Sequence, residues 1–132
     1  MKNNKEFKVF LVDDDPFCRS IYREHLSNLG FSDISDFENG LDCLNALSLN
    51  PDIIFLDHGM GQLTGLEVLR KIKKSSQAVS VVFLSGEASL MTAVNALKAG
   101  AAEYIVKGRN DLANIARTVA VITDRIEPHA VS

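Results

Sequence analysis

Short apolar runs recur along this chain and fix the kind of fold open to it: Phe7 to Val12, interrupted by Lys8, then Ile53 to Leu56, Val79 to Leu84 and Tyr104 to Val106. Each is rich in β-branched or aromatic residues and closed by polar residues or Gly, the pattern of strands buried on both faces. Ile34 to Phe37 is a weaker strand candidate. Between the runs the spacing becomes helical. From Pro16 to Leu29, the residues Cys18, Ile21, Tyr22, His25, Leu26 and Leu29 recur at three- and four-residue steps. Asp15 suits the N-cap of that helix, Pro16 its first position and Gly30 its end. A short helix is predicted from Gly40 to Leu49, stopped by Asn50-Pro51.

A glycine-rich turn, Gly59-Met60-Gly61, leads into a helix predicted from Leu63 to Lys74, with Leu66, Leu69, Arg70 and Ile72 in its pattern. Further helices are predicted from Ala88 to Ala99, closed by Gly100, and from Asp111 to Ile126, where Leu112, Ile115, Ala116, Val119, Ile122 and Ile126 form one stripe. That last helix also carries Ala113, Ala120 and Val121, a second apolar side that is either core or a docking surface. One domain is expected over residues 1–127, followed by a frayed tail at 128–132. The β-α alternation, repeated five times, argues for an α/β fold: a doubly wound parallel sheet with helices on both faces and right-handed crossovers.

A length of 132 residues suits one such domain, and 46% apolar with 23% charged residues is an ordinary globular balance. Cys18 and Cys43 form no CxxC or Cys/His spacing, so no disulfide framework or zinc site is indicated, and a reducing cytoplasm fits. No apolar stretch reaches the ~20 residues of a membrane helix. A net charge of −3 without a basic cluster lacks the footprint of direct nucleic-acid binding.

In a parallel sheet of this kind ligands bind beyond the carboxyl ends of the strands, near the point where strand order reverses. The predicted strands end in Asp13-Asp14-Asp15, Asp57, Ser85 and Lys107. Three carboxylates forced together repel one another and raise at least one pKa unless a cation neutralises them. An all-oxygen cluster without His or Cys selects a hard divalent ion, and carboxylates with water and a phosphate oxygen are the usual magnesium arrangement. A Mg2+-dependent (or Mn2+-dependent) phosphoryl site is the physical inference.

The residues resemble the receiver domain of two-component response regulators, from about Phe7 to Ile126. The matching pieces are Phe10-Leu11-Val12-Asp13-Asp14-Asp15-Pro16, Ile53-Ile54-Phe55-Leu56-Asp57 with Met60 and Gly65 following, Val81-Val82-Phe83-Leu84-Ser85-Gly86, and Gly100-Ala101-Ala102-Glu103-Tyr104-Ile105-Val106-Lys107. The resemblance implies a flavodoxin-like sheet of strand order 2-1-3-4-5 with five helices. It implies that Asp57 is the phosphoacceptor, and that Asp14 and Asp57 hold the metal directly with the backbone carbonyl of Gly59, Asp13 acting through water. Ser85 and Lys107 would grip the phosphoryl oxygens, Ser85 and Tyr104 would form the switch, and Gly59 and Glu87 would tune how fast water attacks. Implied partners are a sensor histidine kinase or phosphotransfer protein, with the helix from Pro16 to Leu29 as docking element, and a downstream effector. The face made by helix four, strand five and helix five is the one the switch would bias for that effector, and a dimer through it is possible.

Three positions depart from the family pattern. Gly61 stands where proline commonly follows the methionine, Gly86 where alanine is common, and Gly108 where proline follows the lysine. A cis bond before a non-proline residue costs about 2.5–4 kcal/mol, so the Lys107-Gly108 bond is expected to be trans and Lys107 less firmly held. His58 is expected to point away from Asp57, because side chains alternate along a strand. Two other readings compete. A haloacid dehalogenase-type phosphatase would use Asp13 and Asp15, but fails on size, on Phe17 lacking a hydroxyl, and on Asp15 being better placed as a cap. A degenerate receiver would serve as an interaction module without phosphorylation, which the intact Asp13, Asp14, Asp57, Ser85 and Lys107 set argues against.

Overall fold

The computed structural model describes residues 3–59, 63–76, 78–108 and 110–129. Five parallel strands, β1 (Lys8–Val12), β2 (Asp33–Phe37), β3 (Ile53–Asp57), β4 (Ser80–Ser85) and β5 (Glu103–Val106), form one sheet in the order β2-β1-β3-β4-β5. Five helices cover it: α1 (Pro16–Asn28), α2 (Gly40–Asn45), α3 (Gly65–Ser75), α4 (Leu90–Lys98) and α5 (Asp111–Arg125). This is the flavodoxin-like receiver fold that the sequence implied.

The alternation of side chains along each strand splits the core in two. Val9, Leu11, Ile53, Phe55, Val82 and Leu84 pack with Tyr22 and Leu26 of α1 and Ile115, Val119 and Ile122 of α5. Phe10, Val12, Ile54, Leu56, Val81 and Phe83 pack with Cys43 of α2, Val68, Leu69 and Ile72 of α3 and Ala96 of α4. All the strands run parallel, and the strand order reverses between β1 and β3, which places the ends of those two strands at the ligand crevice.

Helix boundaries follow the caps more closely than the apolar periodicity. α3 starts at Gly65, not Leu63, because Thr64 and Glu67 form a reciprocal capping box. α4 starts at Leu90, not Ala88, because the Ser89 hydroxyl accepts from the Thr92 amide. α2 is shorter than predicted, and a 3-10 turn at Leu47–Leu49 takes its second half. Asp15 caps α1 through the Phe17 amide, and Gly30 and Gly100 leave α1 and α4 with positive φ.

The tail also differs from expectation. Pro128 is buried, and the His129 amide donates to Asp52 Oδ1 at 2.9 Å, with its ring Nδ1 on the same oxygen. The Asp52 side chain is wholly buried at the start of β3, so its oxygens need partners, and Lys8 and His129 supply them. No helix among the described residues is long and apolar enough to cross a membrane.

Candidate functional site

The end of β1 carries Asp13 and Asp14 into the crevice, and the end of β3 carries Asp57. One carboxylate oxygen from each of these three residues lies within 4.8 Å of the others. Asp13 and Asp57 are buried, whereas Asp14 faces solvent. Asp13 is fixed from several sides. Its Oδ1 accepts from the Asp15 amide at 2.9 Å, its own amide donates to the Phe37 carbonyl at 3.0 Å, and Arg19 Nη1 donates to its carbonyl at 2.6 Å.

Lys107, just past β5, reaches across the crevice. Its Nζ lies 2.8 Å from Asp13 Oδ2 and 2.9 Å from Asp57 Oδ1. Burial alone would depress this ammonium, but its bonds to Asp13 and Asp57 outweigh that and hold it above the ordinary lysine range. The Asp57 carboxyl is pushed up, first by burial and then by the Asp13 charge, while Lys107 and the Gly59 amide pull it down. Carboxylate repulsion therefore acts as expected, but desolvation is the larger cause.

Lys107 is held better than its glycine neighbour suggested. The Lys107-Gly108 bond is trans, as expected, since no cis peptide occurs among the described residues. Two ion pairs nevertheless anchor the side chain, and its amide donates to the Ser85 carbonyl at 2.8 Å.

Ser85 ends β4 and is buried. Its Oγ accepts from the Glu87 amide at 3.1 Å, while the Glu87 carbonyl accepts from the Tyr104 hydroxyl at 2.7 Å. The Tyr104 ring stacks on Phe83 with centroids 5.9 Å apart. Glu87 and Gly59 are both exposed at the rim. His58 turns to Phe83, ring centroids 5.4 Å apart, on the side of the sheet covered by α3, and Asp15 is a helix cap, as the sequence suggested. Met60 and Gly61 lie outside the described residues.

Sequence reasoning missed two contributors. Arg19 anchors the Asp13 backbone, and Tyr22 Oη donates to Asp111 Oδ2 at 2.7 Å, joining α1 to the start of α5. Tyr22 was read only as part of the apolar stripe, and a polar tip on a buried aromatic was the available signal.

A doubly wound sheet of this order with paired acidic strand ends, a bridging lysine and a hydroxyl at the end of β4 has the architecture of a receiver module. The chain belongs to the response regulator receiver domain family, whose description matches residues 9–119. It is a CheY-like receiver of two-component signalling, and receiver domains are phosphoacceptors, not enzymes in the ordinary sense, that bind Mg2+ in such an acidic pocket.

Chemotaxis protein CheY1 of Helicobacter pylori is 31% identical over 104 residues, 76% of this chain and 84% of that protein. The luminescence regulatory protein LuxO of Vibrio campbellii is 34% identical over 98 residues, 74% of this chain but 21% of LuxO, so the likeness spans about a fifth of that regulator. Among solved structures, the CheX-CheY-BeF3-Mg+2 complex from Borrelia burgdorferi contains a chain 25% identical to this one, with TM-score 0.81 and coverage of 89% of each. The receiver domain of a LuxO-type repressor from Vibrio parahaemolyticus is 26% identical with TM-score 0.83, covering 90% of this chain and 91% of that one.

Proposed function

We propose that this chain accepts one phosphoryl group on Asp57 from the phosphohistidine of a sensor kinase or phosphotransfer protein, and passes the change to an effector through its α4, β5 and α5 face. The observation that carries this reading is the meeting of Asp13, Asp14 and Asp57 within 4.8 Å, with Lys107 bridging two of them. Three carboxylates with no nitrogen or sulfur donor fit a hard ion such as Mg2+ or Mn2+. Asp14 and Asp57 would bind it directly with the Gly59 carbonyl, and Asp13 through water. When bound, the ion neutralises charge on the phosphoryl oxygens.

The remaining chemistry belongs to the side chains. An Asp57 carboxylate oxygen forms the new bond to phosphorus as the phosphorus–nitrogen bond of the donor breaks. The bonding pair stays on the imidazole nitrogen, which takes a proton from solvent. The Lys107 ammonium neutralises the charge spread over the transferred oxygens. Ser85 Oγ already accepts from the Glu87 amide, so its own hydrogen is free to donate to a phosphoryl oxygen.

That bond gives the switch a short path. The Glu87 amide rests on Ser85 and the Glu87 carbonyl on Tyr104, so movement of Ser85 toward the phosphoryl group is felt at Tyr104 through one residue. Leu90 and Met91 of α4, 79% and 67% exposed, supply the apolar part of the effector face, which also suits a dimer. An effector shifts the equilibrium only by its unequal affinity for the two states. A cytoplasmic location accords with this role.

Intact mass after incubation with Mg2+ and acetyl phosphate tests the reading. One hydroxylamine-labile phosphoryl group is expected, dependent on Mg2+ and absent in Asp57→Asn. A folded chain that gains no mass and shows no Mg2+-dependent change would refute it in favour of a phosphorylation-independent interaction module.

A further inference from the structure

The residue after the bridging lysine is where this chain departs most from its family, and the structure shows what holds that loop instead. Gly108 has φ +83°, and a Cβ built there would meet nothing within 4 Å, so no packing fixes it. Its amide donates to Asp111 Oδ2 at 3.1 Å, the same oxygen that accepts from the Tyr22 hydroxyl at 2.7 Å. Asp111 Oδ1 accepts from the Leu112 amide at 3.0 Å, so both carboxylate oxygens are engaged. A second tie lies one turn on. His25 Nε2 is 2.7 Å from the Leu112 carbonyl, an oxygen that only accepts, so Nε2 is the donor.

We infer that Tyr22 and Asp111 are positioning residues for Lys107, holding the loop that follows it against α1 so that its ammonium stays between Asp13 and Asp57. Tyr22 is 4% exposed and packed in the core beneath α1. Helix α1 begins two residues after Asp13-Asp14, so a tie from it to the lysine loop sets one side of the crevice relative to the other. The Asp111 carboxyl lies below its ordinary value although burial opposes this, because the Tyr22 hydroxyl and the Gly108 and Leu112 amides all favour its charged form. An ionised acceptor makes the hydroxyl and amide bonds charge-assisted, the stronger kind. A proline at 108 would have neither the amide nor the φ that this arrangement uses.

The inference rests on the phosphoacceptor reading and is tested separately from it. Rates of Mg2+-dependent phosphorylation by acetyl phosphate are compared in the full chain, Tyr22→Phe, Asp111→Ala and Asp111→Asn, each also in a Lys107→Ala background. Tyr22→Phe and Asp111→Ala are expected to slow the reaction about tenfold, the factor carried by a lost charge-assisted hydrogen bond. Asp111→Asn retains one acceptor oxygen for Tyr22 and Gly108 without the charge, and recovers part of the rate. In the Lys107→Ala background the same changes have no effect, because the group they position is gone.

A second measurement works even where that background is too slow to time, or where no variant is labelled. The two ion pairs of Lys107 are expected to slow exchange of its ammonium with solvent, so that its resonance is seen in nitrogen-15 NMR. It is expected to broaden in Tyr22→Phe and Asp111→Ala and to return in part in Asp111→Asn. An unchanged resonance and unchanged rates, or an equal slowing without Lys107, would overturn the inference. Absence of labelling in the unmodified chain would instead refute the phosphoacceptor reading.

Discussion

Gly65 is the position where a single methyl group bears most directly on the site. A Cβ there would lie 2.7 Å from the Asp57 carbonyl oxygen, 2.7 Å from His58 Cα and 3.0 Å from Phe83 Cζ. Carbon atoms rest about 3.5–4.0 Å apart at their optimum. Two of the three contacts are backbone, and that backbone is pinned: the His58 amide donates to the Leu84 carbonyl at 2.9 Å and its carbonyl accepts from the Gly65 amide at 3.1 Å. Relief therefore moves the end of β3 or the start of α3, and with either the phosphoacceptor.

Such overpacking costs about 1–3 kcal/mol. Ala against Gly in a helix returns up to about 1 kcal/mol, and less at a first position. Gly65→Ala is thus expected to lose about 1–2 kcal/mol in urea unfolding, a Tm drop on the order of 5 °C, and to slow acetyl phosphate labelling at temperatures where it stays folded. Gly86→Ala is the control. Its Cβ meets nothing within 4 Å and its φ lies outside the left-handed region, so it should be neutral or stabilised by about 0.4–1 kcal/mol. Equal stability of the two variants would refute the argument that close approach at Gly65 sets the position of Asp57.

Two further outcomes are expected. Burial raises the Asp57 carboxyl above its ordinary 3.8, so folding favours its protonated form; that contribution is present below the unfolded value and lost as pH rises through the folded one. Without metal, Asp57→Asn should therefore melt above the unmodified chain at neutral pH, with the margin closing on acidification; a margin that widens instead would contradict this, and saturating Mg2+, worth about 2.7 kcal/mol at a hundredfold over Kd, should stabilise the unmodified chain more. Truncation after Glu127 strips the buried Asp52 carboxylate of His129 and should cost about 1–3 kcal/mol in urea unfolding, an unchanged midpoint showing that the tail contact adds nothing.

The sides of the sheet were legible because parity and period are written in the apolar pattern, Val9 and Leu11 facing one way and Phe10 and Val12 the other, whereas the strand order came from the resemblance to the receiver family. The acidic ends of β1 and β3 were legible because sequence ends on strands become neighbours at the switch point. The starts of α1, α2 and α5 were legible as well, but those of α3 and α4 were not, since Leu63 and Ala88 continue the apolar pattern while the Thr64 and Ser89 hydroxyls decide where the helix begins. The docking of His129 on Asp52 was hidden too, because the pairing spans 77 positions and neither residue belongs to an apolar period. Tyr22 shows the same limit: its period places the ring, but nothing local points its hydroxyl at a residue 89 positions away.

The polar ties around the crevice share one physical origin. The crevice concentrates buried negative charge in Asp13 and Asp57, which folding alone disfavours, and the single ammonium of Lys107 serves both. A lysine on a loop turned by Gly108 would lose its place between them at little energetic cost, because glycine admits many backbone angles. Arg19 on the Asp13 carbonyl and Asp111 on the Gly108 amide each fix one side of that ion bridge through groups anchored on helices, not on the loop itself. Rigidity that the family commonly draws from a proline is thus supplied here by hydrogen bonds to buried or helix-borne side chains. Such bonds can be removed one at a time without changing the loop sequence, which makes the placement of Lys107 separable from its charge in a way a proline would not allow.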